Sequence, residues 1–293
     1  MAAITLDGQA LADRTKSELA QRVADLARPG VLSPTGRPPG LGTVLVGDDG
    51  PSARYVAGKH QDCADIAMTS VHRPLPADAT QAQLEATIAE MNADERVDAF
   101  IVQYPVPAGL NFEAAMLAMD PSKDADGLHP VNLGKLVMGE RAPLPCTPHG
   151  ILKLLAAYGV ELAGRHMVIV GRGLTIGRPL ALLAALKRPD ANAAVTVVHT
   201  GVGDLASYTR QADVIVAAAG APGVITADMV RPGAAVVAAG VTMDGRRVVS
   251  DVADEVAEVA GWLSPRLGGV GPMTRAMLLA NTVEAAAMRA GSA

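Results

Sequence analysis

The chain has 293 residues, enough for about two domains at roughly 150 residues each. Its hydrophobic fraction of 49% and charged fraction of 19% argue against disorder, and a net charge of -5 offers no basic field for a phosphate backbone. Aromatics at 2% leave no stacking platform for single-stranded nucleic acid, and the two cysteines, Cys63 and Cys146, form no C-x-x-C pair. Neither a disulfide framework nor a metal site is expected. The N-terminal stretch carries charges from Asp7 onward with no apolar signal core, and no run approaches 18 uncharged apolar residues. The reading is a cytoplasmic protein with no membrane and no nucleic-acid partner.

In chain order, helical spacing runs from Leu6 to Ala27 and stops at Pro29-Gly30. A Pro- and Gly-rich loop over 29–40 leads to a strand at Gly42–Gly47. A helix opens at Pro51-Ser52 and runs to about Ala67; a strand at Ser70–Leu75, a helix at Thr80–Asn92 and a strand at Val97–Val102 follow. Pro105 and Pro107 end that strand, and irregular sequence holding Asp124 and Asp126 extends to a helix after Pro148. A second series of apolar strands covers His166–Gly171, Ala194–His199, Asp213–Ala219 and Ala234–Val241, and the last pattern, Pro272–Met288, is an amphipathic helix. Strands alternating with helices predict an α/β fold with mainly parallel sheets, the later strands covered on both faces. The domain boundary falls near residues 145–150.

Gly171-Arg172-Gly173-Leu174-Thr175-Ile176-Gly177 lies between a predicted strand and a predicted helix. Glycines there let the backbone turn tightly and approach a phosphate, and the helix N-terminus adds a partial positive charge. The spacing is one residue longer than the common dinucleotide fingerprint, so a turn that binds nothing is the competing interpretation. The next strand ends Val198-His199-Thr200 without the acid that would bind a ribose 2′-hydroxyl. Arg172 and His199 facing a 2′-phosphate would favour NADP; Arg172 as a solvated loop cation is the plainer alternative.

Tyr55 and Lys59 are four residues apart on one helix face. A short-chain dehydrogenase pair is excluded by order, since the glycine loop follows instead of preceding it. Gln103, ending a buried strand, is either a satisfied core amide or part of a ligand crevice. Asp126 before Gly127 is either a turn aspartate or a binding group.

Taken together, Tyr55-x-x-x-Lys59, Val102-Gln103-x-Pro105, Lys123-Asp124-x-Asp126-Gly127, Pro145-Cys146-Thr147-Pro148 and Gly268-Gly269-Val270-Gly271-Pro272-Met273-Thr274 form an ordered set spanning nearly the whole chain. The set closely resembles the bifunctional methylenetetrahydrofolate dehydrogenase/methenyltetrahydrofolate cyclohydrolase family. That resemblance implies a folate-binding catalytic domain over 1–146 plus 272–293 and a Rossmann-like NADP-binding domain over 147–271. It implies a C-terminal helix returning to the first domain, an active-site cleft, a homodimer and a place in one-carbon metabolism feeding purine biosynthesis.

By position, the resemblance makes Lys59 the central catalytic residue, held by Gln103 and assisted by Tyr55, with Asp126 accepting the paired pterin N–H donors. A lysine desolvated to a pKa of roughly 7–8 could carry the proton of the hydrolytic step. Val102 and Tyr104 would line the folate site, Gly268 and Gly269 would close over the substrate, and Gly171, Arg172, Gly173, Thr200 and Val241 would line the NADP site. The chain departs from the family pattern in three places: Gly173-Leu174 stands for the usual Ser-Asn, Arg266-Leu267 interrupts the usual Pro-Val-Pro-Gly-Gly, and Tyr104 replaces leucine. A dehydrogenase without the second activity and a nucleotide-binding regulatory protein are the alternatives.

Overall fold

The computed structural model describes residues 3–30, 36–47, 50–245 and 247–291. Residues 31–35 of the expected Pro/Gly loop therefore lie outside the described residues. The chain divides into two compact units: one takes the chain up to Ala12 together with Pro145–Thr274, the other takes Asp13–Leu144 with the chain from Arg275 onward.

Elements open with β1 (Ile4–Thr5) and α1 (Gly8–Ala27), whose start is capped by Asp7 accepting the Ala10 N–H at 3.0 Å. Next come β2 (Gly40–Val46), α2 (Gly50–Asp65), β3 (Thr69–Leu75), α3 (Gln81–Ala93) and β4 (Ala99–Val102). Thr80 begins α3 with a capping box: its hydroxyl accepts the Gln83 N–H at 3.3 Å while the Gln83 side chain accepts the Thr80 N–H at 2.8 Å. β2 lies between β3 and β4 in a three-stranded parallel sheet, and all seven of its residues are buried. Phe100, Leu84, Ile88 and Met91 fill the core beside it. Each such side chain contributes roughly 1.5–3 kcal/mol of burial.

The stretch read as irregular holds two further helices, α4 (Phe112–Ala118) and α5 (Pro130–Met138). They are short and locally capped: Asn111 accepts the Ala114 N–H at 3.0 Å, and the His129 ring accepts the Val131 N–H at 3.1 Å just before Pro130. A helix of two turns carries too little apolar periodicity to be seen as a pattern. α6 (Cys146–Ala157) begins before Pro148, correcting the predicted start after it. Proline has no N–H to donate, so it sits inside a first helical turn as comfortably as ahead of it.

The remaining elements are β5 (His166–Val170), α7 (Gly177–Ala185), β6 (Ala194–Val198), α8 (Ala206–Thr209), β7 (Val214–Ala217), β8 (Ala235–Ala238), β9 (Val241–Asp244), β10 (Arg247–Ser250), β11 (Trp262–Leu263) and α9 (Val270–Gly291). Six strands form a parallel sheet in the order β1-β11-β8-β7-β5-β6, as expected of a Rossmann-like unit. β6 lies at an edge and is only partly buried, so the expectation of full cover on both faces fails there. The predicted strand over Ala234–Val241 ends at Ala238, and Val241 opens the antiparallel β9–β10 hairpin, which the sequence did not announce. β1 and β11, two residues each, were likewise unread: Ile4 pairs with Trp262 and Thr5 with Leu263. No helix of the described residues is long and apolar enough to cross a membrane.

Candidate active site

Lys59 is only 6% exposed, and its ammonium donates to Gln103 Oε1 at 2.8 Å. The same nitrogen lies 4.9 Å from the centroid of the Tyr55 ring, one helical turn earlier. Gln103 is fixed from its other end, where Nε2 donates to the Tyr104 carbonyl at 2.8 Å. Gln103, the residue after β4, thus faces the α2 lysine, and it is half-buried and not enclosed in the core. Val102 closes β4, buried. Tyr104 is 52% exposed, its ring set edge-on to Phe112 at 5.0 Å, and the Tyr104–Pro105 peptide is cis.

The surroundings of Lys59 are strongly organised. His60 meets Ser70 through Nδ1 and packs edge-on to His72 at 5.1 Å. Burial, then the neighbouring His72 and Lys59 charges, hold His60 below the ordinary histidine value. Asp62, three residues beyond Lys59, is buried between Lys16 Nζ at 3.2 Å and Arg275 Nε at 3.0 Å. The Cys63 thiol is pushed up to about 12 by burial, which leaves it inert at neutral pH.

The two aspartates of Lys123-Asp124-Ala125-Asp126-Gly127 divide their labour. Asp124 is buried and accepts from Gly127 N at 3.0 Å, His129 N at 2.8 Å and Asn132 Nδ2 at 3.0 Å, so it organises the turn. Its backbone bridges to Phe100 in parallel register, and Ala125 N donates to Phe100 O at 3.1 Å. Asp126 therefore stands two residues past that bridge, as Val102 does on β4. It is half-buried instead of enclosed.

The nucleotide candidates gather at the C-terminal ends of the parallel strands. Strand order reverses at β5, with β6 on one side and β7 on the other, which is where open α/β sheets bind ligands. Gly171 follows β5 with φ +125°, and a Cβ there would stand 2.1 Å from the Ala218 carbonyl, so only glycine allows this crossing. Arg172 and Gly173 are exposed beyond it. Among the described residues, the amides from Arg172 to Gly177 donate to no backbone acceptor. A loop of undirected amides is a donor set suited to phosphate oxygens. Thr200 is exposed after β6, and His199 Nδ1 accepts the Gly201 N–H at 3.0 Å, which leaves Nε2 to carry the ring proton. Val241 is 53% exposed at the start of β9. Gly268 follows β11 in a left-handed conformation, its carbonyl accepting the Gln9 N–H at 2.8 Å, and Gly269 is buried beside it.

The sequence reading missed Asp251 and the Ala218–Gly220 loop that it holds. The only signal was a single carboxylate in the apolar run Val248-Val249-Ser250-Asp251-Val252.

Comparison with known proteins gives a consistent result. Residues 6–126 match the catalytic domain, and residues 145–290 the NAD(P)-binding domain, of the tetrahydrofolate dehydrogenase/cyclohydrolase family. A protein described as Bifunctional protein FolD from Syntrophotalea carbinolica is 52% identical over 290 residues, covering 99% of this chain and 98% of its own length. The crystal structure of bifunctional FolD from Campylobacter jejuni superposes with a TM-score of 0.91 at 39% identity, covering 98% of this chain and 100% of its own. The Trypanosoma brucei enzyme, solved with NADP and an inhibitor, gives a TM-score of 0.91 at 37% identity over 100% of both chains.

Proposed function

Since the chain belongs to the tetrahydrofolate dehydrogenase/cyclohydrolase family, we propose that it oxidises 5,10-methylenetetrahydrofolate to the 5,10-methenyl form with NADP and hydrolyses that product to 10-formyltetrahydrofolate. The observation that carries the reading is the buried Lys59 ammonium held at 2.8 Å by Gln103 beside the Tyr55 ring. The regulatory alternative has only the altered Gly173-Leu174 of the nucleotide loop behind it, and the dehydrogenase-only alternative has no observation of its own.

NADP supplies a hydride acceptor when bound. The cation left on the folate is delocalised over its two flanking nitrogens, so oxidation asks the protein mainly for positioning. Hydrolysis asks for more. Water adds to the methenyl carbon, and the bond to N5 breaks so that the formyl group stays on N10. As the neutral amine, Lys59 takes a proton from the adding water and, once an ammonium, delivers it to N5 as the ring opens, while the remaining hydroxyl proton leaves to solvent as the formyl C=O forms. Gln103 fixes the direction of its nitrogen, and Tyr55 packs against the folate. Asp126 accepts the two adjacent pterin N–H donors, a geometry that a carboxylate matches with both oxygens. Val102 and Tyr104 border the folate, and Gly268 and Gly269 close over it.

For the cofactor, Gly171 and Gly173 bring backbone to the pyrophosphate, while Arg172 and His199 Nε2 meet the 2′-phosphate and Thr200 and Val241 border the nucleotide. The absence of an acid after β6 supports NADP over NAD. Gly173 contributes only its amide where relatives use a hydroxyl. By function, residues 1–146 with 272–293 serve the folate and residues 147–271 serve NADP. The setting is a cytoplasmic homodimer in one-carbon metabolism that supplies formyl groups for purine biosynthesis.

Lys59→Met tests the reading. The cyclohydrolase rate should fall at least about a hundredfold, while NADP affinity and melting temperature stay as in the wild type. Methenyl absorbance would then accumulate without conversion to formyl product; full hydrolysis by the variant would remove Lys59 from its role.

A further inference from the structure

Asp251 follows β10 and is fully buried. Its Oδ2 accepts the backbone N–H of Ala219 at 2.7 Å and of Gly220 at 2.9 Å, both in the loop that leaves β7. Its own N–H donates to the Gly240 carbonyl at 3.2 Å, just beyond β8. A Cβ on Gly240 would lie 1.8 Å from Oδ2, so the glycine is the space that the carboxylate occupies. Oδ1 is buried and has no hydrogen-bond partner among the described residues.

The other buried aspartates are each explained by what they meet: Asp62 and Asp98 pair with cations, and Asp124 organises its turn. Among the described residues Asp251 meets no cation. A buried carboxylate with one oxygen unpartnered is a costly way to join loops, since a neutral acceptor would do so without enclosing a charge. The charge gives the two amide bonds extra strength and fixes their common direction. What those bonds hold is the segment whose Ala218 carbonyl crosses Gly171, the first glycine of the nucleotide loop. From the Gly240 side the same residue adjoins the chain leading to Val241.

We infer that Asp251 is a positioning residue for the dinucleotide: it sets the strand-end loops of β7 and β8 against the glycine loop without touching the cofactor. The inference rests on the proposed reading that NADP binds over these strand ends. Asn is the same size as Asp but carries no charge, and its amide would place an N–H₂ where Oδ1 has no acceptor.

The test measures NADP affinity by calorimetry together with both activities, for the wild type, Asp251→Asn and Gly240→Ala. Asp251→Asn should bind NADP at least about tenfold more weakly, the change expected when bonds to a charged group are lost. KM for NADP should rise in step, while cyclohydrolase on supplied methenyltetrahydrofolate stays within about twofold of the wild type. Gly240→Ala, which displaces the carboxylate without removing it, should show the same split. Unchanged NADP affinity in both variants overturns the inference. So does a parallel loss of cyclohydrolase, or failure to fold, because Asp251 would then be merely structural. A wild-type chain that binds no NADP would instead defeat the cofactor reading itself.

Discussion

Lys59 illustrates how much a single side chain depends on its neighbours. Alone in sequence, a lysine four residues after a tyrosine is an ordinary helix contact. In the folded chain its nitrogen is almost withdrawn from water and aimed by an amide from a different element. Buried imidazoles make the same point about charge. Burial, and then the Lys153 and Arg188 charges, bring His149 down to about 4, and its Nδ1 is buried without a partner among the described residues. The unfolded chain therefore takes up the proton first. The stability that neutral His149 contributes is complete above pH 6.5 and drains away as the pH falls towards 4, by about 3 kcal/mol at most. Urea midpoints at pH 7.5 and pH 4.5 check this: the fall between them should be smaller for His149→Gln, and an equal fall would mean that other groups carry the acid sensitivity.

At the scale of elements, capping governs where helices begin. The reciprocal Thr80–Gln83 bonds satisfy two of the amides that α3 leaves open at its start. Thr80→Ala should lower unfolding free energy by about 1 kcal/mol with catalysis untouched, as read by denaturant titration; a neutral result would assign the boundary of α3 to packing alone. Long elements were legible because periodicity accumulates over several turns, as in α1, α3 and α9, or because apolar runs are compact, as in β2 and β5. The two-residue strands β1 and β11 were not legible. Each exists only through partners elsewhere in the chain: β1 pairs with β11 near the far end, and β11 lies between β1 and β8, so neither leaves a local signal. The glycine loop was legible as a loop between strand and helix, whereas Asp251, the residue that holds its surroundings, was not, since nothing local marks a carboxylate as an acceptor for distant amides.

Across the molecule, two helices each supply residues to both compact units, since α1 and α9 run through the unit boundaries. The later part of α9 is integral to the unit of Asp13–Leu144. Asn281 donates to the carbonyls of Ala125 and Leu144 at 2.9 Å each, and Arg289 pairs with the buried Asp98 at 2.5 Å, beside the bidentate Arg37. Met277, Leu278, Leu279 and Val283 are buried along the same helix. Deleting residues 276–293 removes that apolar face and leaves Asp98 with fewer cations, at several kcal/mol for the side chains alone. The truncated chain should lose its cooperative melting transition and become open to limited proteolysis within 13–144; persistence of that unit intact would show that the helix is dispensable.

The sequence by itself determined the alternating α/β architecture, the strand-loop-helix around Gly171 and, through five ordered motifs, the family. Those are properties of residues close together in the chain, where periodicity, turn chemistry and spacing act directly. Only the tertiary structure decided that Gln103 meets Lys59, that Asp124 holds its turn while Asp126 stays accessible, and that Asp251 reaches across to Ala219 and Gly220. Each of these is a hydrogen bond or a burial that depends on direction in space, and that direction is settled when distant elements pack and the water between them is expelled.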